Sequence, residues 1–66
     1  LDKLPRLTAK DAEKLLFEAG FVMARSKGSH RIYIKGTKRI IIPFHGNRIL
    51  HPKIVKQLLK IINQKD

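Results

Sequence analysis

Apolar residues follow two different rhythms along this chain. Ala12, Leu15, Leu16 and Ala19 recur at i, i+3, i+4 and i+7, the stripe of one helix face. Thr8 stands where an N-cap is wanted, with Asp11 three residues on as a shortened capping box, and Gly20 falls where a left-handed C-cap belongs. The rhythm then shortens to two. Residues 21–25, 30–35 and 39–43 read as strands, separated by Gly-containing stretches, 26–29 and 36–38, of hairpin-loop length. Within 30–35, Ile32 and Ile34 share one face with His30, while Arg31, Tyr33 and Lys35 share the other. Pro43 ends the third strand or marks it as an edge, and the Gly46-Asn47 pair suits a turn.

The longer rhythm returns over 52–63. Ile54, Val55, Leu58, Ile61 and Ile62 form a stripe, Lys53, Lys56, Lys60 and Lys65 point away from it, and Pro52 suits the first helical position. The order α-β-β-β-α predicts an α+β fold, a three-stranded antiparallel meander with two helices side by side on one face. The isoleucines of 30–35 should face the helices, leaving Arg31, Tyr33 and Lys35 on the face open to water. No linker or internal repeat interrupts the chain, so residues 1–66 read as a single domain.

Composition narrows the classes of function. The chain has 66 residues and no cysteine, which removes disulfides, thiolate nucleophiles and cysteine zinc sites. An unstapled domain of this size is expected inside the cell, in the cytoplasm. No signal peptide pattern opens the chain and its apolar runs are too short for a membrane span, so no membrane partner is expected. Charge changes the picture most. Fifteen Lys and Arg stand against five Asp and Glu, for a net charge of +10. From Ala19 to Lys65 every charged side chain is Lys or Arg. A field of one sign attracts polyanions, with nucleic acid the first partner to consider and an anionic membrane or acidic protein behind it.

The candidate chemistry lies in "RSKGSHRIYIKGTKR", residues 25–39, where six cations surround a single histidine. Gly28 and Ser29 are small enough to let a ligand approach the backbone, and Lys27, Arg31, Lys38 and Arg39 can neutralise phosphates. An imidazole exchanges protons near neutral pH. RNA brings its own nucleophile in the 2′-OH, so cleavage needs an acid or base, alignment, and positive charge on the developing phosphorane. The absence of nearby carboxylates argues against a magnesium site and a two-metal nuclease. No metal or other cofactor is expected. Tyr33 is placed either to stack on a base or to pack across strands. By strand parity His30 points towards the helices, and a histidine at a strand end is more often a hydrogen-bonded structural residue than a catalyst, although a residue at the strand's start need not obey the pleat. His45 reads as a turn residue or a phosphate contact, and His51 as a helix starter.

The helix ending in "EAGF", then "KGSHRIY", then "IPFHGN" and a last helix together resemble the HicA toxins of bacterial toxin–antitoxin pairs. The resemblance runs over nearly the whole chain and is carried most strongly by Gly28-Ser29-His30. It implies a fold like the double-stranded-RNA-binding domain, cleavage of mRNA independent of translation, and a HicB-type antitoxin that covers the site. The family's catalytic histidine falls on His30. The chain departs from many relatives at the last helix, where "HPKIV" replaces a Gly-Thr start. Two further readings stand beside the ribonuclease: a non-catalytic RNA-binding module of the same fold, and a cationic domain whose ligand is an acidic protein.

Overall fold

The computed structural model describes residues 4–64; Lys65 lies outside them. Helix α1 (Ala9–Glu18) is followed by strands β1 (Val22–Lys27), β2 (His30–Lys35) and β3 (Lys38–Pro43), then helix α2 (Pro52–Asn63). The strands form one antiparallel sheet in the order β1-β2-β3. The expected α+β architecture, with both helices on one face, is what the chain adopts.

Local chemistry sets the helix ends. The Thr8 N–H donates to Asp11 Oδ2 at 3.0 Å and the Asp11 N–H donates back to Thr8 Oγ1 at 3.2 Å, the reciprocal capping box expected from the sequence. The bond from the Thr8 backbone, supported by its hydroxyl, holds the Asp11 carboxyl below the usual carboxylate range. At α2, Pro52 takes the first turn and His51 is the N-cap, its Nδ1 accepting from the Lys53 N–H at 3.0 Å. A short bridge between Thr8 and Ile49, with the Leu50 N–H donating to Leu7 O at 2.7 Å, ties the N-terminal segment to the approach to α2.

The core joins Ala9, Ala12 and Leu16 of α1, Val55 and Leu58 of α2, and Tyr33, Ile40 and Ile42 of the sheet, closed by Phe21 and Leu50. Strand pairing sets Tyr33 against Ile40 and Arg31 against Ile42, and paired residues share a face. The expected parity of β2 is therefore reversed. Arg31, Tyr33 and Lys35 face the helices, whereas His30, Ile32 and Ile34 lie on the open face. The reason is that each polar end finds a partner at the helix layer. The Tyr33 hydroxyl donates to Glu13 Oε2, which also accepts from Arg31 at 3.0 Å. The Arg31 guanidinium lies 4.0 Å from the centre of the Phe44 ring. Lys35 donates to Ala19 O at the end of α1, at 2.7 Å, and its neighbour across the turn, Lys38, donates to Gln64 O at the end of α2. Each long side chain covers apolar surface with its stem while its charged head reaches the rim.

Strand β1 adds one irregularity. Met23 pairs with Tyr33 and Arg25 with the next residue, Ile32, so Ala24 is an extra residue in a bulge. Ordinary alternation would keep Met23 and Arg25 on one face. The bulge separates them, putting Met23 on the helix side and Arg25 and Lys27 on the open side, where they pair with Ile32 and His30.

Candidate functional site

The open face is built from the ends of three strands and one turn. Gly28 and Ser29 join β1 to β2 as a two-residue turn, and Gly28 takes φ +58°. Nothing lies within 4 Å of where a Cβ would stand on Gly28, so the turn's backbone conformation, not crowding, selects glycine there. The turn delivers His30 as the first residue of β2, exposed, and opposite Pro43 of β3. Proline has no N–H to give to a ladder, and it sits at the end of an edge strand where that matters least. One residue further on, the Phe44 N–H donates to Ser29 O at 2.6 Å and pins the turn to the end of β3.

His30 lines an open depression of about 680 Å³ together with Lys27, Gly28, Ser29, Ile32 and Ile41. Its floor is apolar, with Ile32 and Ile41 paired across β2 and β3, and its rim carries the Lys27 ammonium and the small turn residues. Arg25, paired with Ile32, and Arg39, paired with Ile34, extend positive charge along the same face. No carboxylate lies between Ala19 and Lys65 to oppose it. An imidazole beside an ammonium and small turn residues is suited to hold an anion and move a proton on it.

The expected site residues thus divide. Lys27, Gly28, Ser29 and His30 come together at the depression, and Arg39 shares their face. Arg31 and Lys38 are on the other face, engaged with Glu13 and Phe44 and with the end of α2. Tyr33 cannot stack on a base. It is fully buried, edge-on to Phe17 with ring centres 5.9 Å apart, and its hydroxyl is held by Glu13. Burial and that carboxylate push the phenol's pKa well above its ordinary value. The bonds to Glu13 likewise raise that of Arg31.

Sequence reasoning missed Ile32, Ile41 and Arg25 as parts of this surface. The isoleucines looked like core, and Arg25 is brought over by a bulge that no residue pattern announces. A signal did exist for the isoleucines: β3 carries them at both parities, so one row had to remain outside.

Among the described residues, no group of histidines and carboxylates has the arrangement of a metal site, and no helix is long and apolar enough to cross a membrane. Neither the curated proteins nor the solved structures compared with the chain gave a match. The family described as HicA toxin of bacterial toxin-antitoxin matches residues 9–64, from the start of α1 past the end of α2. The chain belongs to the HicA toxin family.

Proposed function

We propose that this HicA-family toxin is an endoribonuclease that cuts single-stranded mRNA without a metal, with His30 as its single proton-transfer residue. The observation that carries this reading is the exposed imidazole of His30 on the open face, at the edge of a depression shared with Lys27, Gly28 and Ser29. The 2′-oxygen of the substrate attacks the adjacent phosphorus as its proton leaves. The bond from phosphorus to the 5′-oxygen breaks, and that oxygen takes up a proton. His30 serves one of these two transfers, and water serves the other. The products are a 2′,3′-cyclic phosphate and a 5′-hydroxyl. Lys27, Arg25 and Arg39 neutralise phosphate charge, and the Gly28-Ser29 turn lets the backbone come close. Among the described residues no carboxylate belongs to the strands and turn that build this face, which supports a metal-free route.

The partner is a HicB-type antitoxin that covers this same face. Val22, Ile34 and Ile41 are 57%, 36% and 44% exposed there, an apolar surface that the chain's own elements leave uncovered. Acidic groups on the antitoxin would meet Arg25, Lys27 and Arg39.

The test is cleavage of a single-stranded RNA in EDTA by the parent and by His30→Ala. The parent should cut and leave cyclic-phosphate ends, and the variant should bind RNA but leave it whole. RNA binding by both without cutting by either would replace this reading with the non-catalytic RNA-binding module.

A further inference from the structure

A second cluster of nitrogen-bearing side chains lies beyond the end of β3. The chain turns at His45–Arg48, where the Arg48 N–H donates to His45 O at 3.3 Å, and then reaches His51 at the head of α2. His45, Arg48 and His51 line one depression of about 190 Å³, with Pro43, Leu50 and Ile54 among its walls. Three observations give it a ligand chemistry. Among the described residues no carboxylate pairs with Arg48, so its guanidinium is available to an outside anion. His51 uses Nδ1 to accept from the Lys53 N–H, which fixes the neutral ring as the Nε2–H tautomer and makes its other nitrogen a donor. Pro43, in the wall, is the strand partner of His30, so the depression begins one ladder step from the backbone of His30, about 5 Å Cα to Cα.

We propose that His45, Arg48 and His51 form a subsite for a backbone phosphate of the RNA, next along the strand from the one cut at His30. The inference rests on the RNA-cleaving reading above and extends it. A strand leaving the His30 depression crosses Pro43 and enters a pocket where Arg48 supplies a cation and His51 a donor. Holding phosphates on both sides of Pro43 would align the 2′-oxygen in line with the bond that breaks.

The experiment measures binding of a short fluorescent single-stranded RNA across a salt series. The protein is the full chain carrying His30→Ala, so that nothing is cut. Adding Arg48→Gln should weaken binding about tenfold, as for a lost charge-assisted phosphate contact. It should also reduce the slope of log affinity against log salt by about 0.7. Lys14→Gln, a matched charge loss on α1, should do neither. His51→Asn keeps an N-cap acceptor and removes the imidazole, and should weaken binding while the thermal midpoint is unchanged. If Arg48→Gln behaves as Lys14→Gln does, the subsite is overturned while RNA recognition at His30 stands. If binding is Arg48-dependent but the unsubstituted chain leaves the same RNA whole in EDTA, the phosphate site stands and the nuclease reading falls. If the chain binds no RNA at low salt, both fall.

Discussion

Full burial makes Tyr33 a packing residue, one of the two roles, base stacking and packing, that its place in the sequence allows. Its ring is central to the core and its hydroxyl has a charged acceptor in Glu13. Tyr33→Phe keeps the ring and removes the bond, leaving the half-buried carboxylate with Arg31 alone. The variant should lose roughly 1–3 kcal/mol in denaturant unfolding at neutral pH. The pH dependence has a definite sign. The folded-state pKa of Tyr33 is raised above the ordinary phenol value of 10.0, so its contribution is fully present below pH 10 and is lost as pH rises towards the folded value. Unfolding curves taken from pH 8 to 11 should therefore fall more steeply for the parent than for Tyr33→Phe. Equal slopes would mean that the phenol ionises alike in both states. At this scale the sequence was legible for Gly28 and Ser29, which fall within the expected hairpin loop, and for His30 as the start of β2, but not for the side His30 faces, since parity turned it towards the helices and it lies on the open face. It was not legible for Tyr33, Arg31 and Lys38, because nothing local reveals that Glu13, Phe44 and the end of α2 will stand over them.

At the scale of elements the pattern was read more reliably. The last helix was expected at 52–63 and is found at Pro52–Asn63, and the middle strand was expected at 30–35 and is found at His30–Lys35. These bounds are set by Pro52, by the turn glycines and by apolar spacing, all of which act over a few residues. The face each strand presents is a different kind of fact. It depends on register with two neighbours and on what the helices bring, so the alternation of β2 was right and its direction wrong. The turn between β2 and β3 adds an element-level connection. Lys35 and Lys38 flank Gly36 and Thr37, and each ends on the last carbonyls of a different helix. Cations at helix C-termini are stabilising through the unpaired carbonyls and the helix dipole. Lys35→Met preserves the stem and deletes the ammonium, and should cost a few tenths to about 1 kcal/mol of thermal stability. Hydrogen exchange should quicken at the last turn of α1 and leave α2 unchanged.

The whole molecule is a flat body of about 30 × 30 × 17 Å, one layer of helices on one sheet. Its open side is therefore about the size of one partner's share of a standard protein interface, near 800 Å². RNA and antitoxin would compete for that side, since His30, the exposed isoleucines and the cations of β1 all lie on it. Ile41→Glu should leave folding within about 0.5 kcal/mol of the parent, because Ile41 contributes nothing to the helix-covered core. It should weaken a HicB-type antitoxin at least tenfold by calorimetry. An unchanged affinity would place the antitoxin on another surface.

The bulge in β1 has a consequence for how this chain tolerates change in length. Removing one residue from a strand ordinarily sends every side chain beyond the cut to the opposite face. Here the strand is longer than its ladder by Ala24 alone. Taking that residue out leaves Met23 against Tyr33 and Arg25 against Ile32, with the two ladder steps now adjacent in the chain. The site's orientation is thus insulated from a deletion at the one point where the strand already carries a spare.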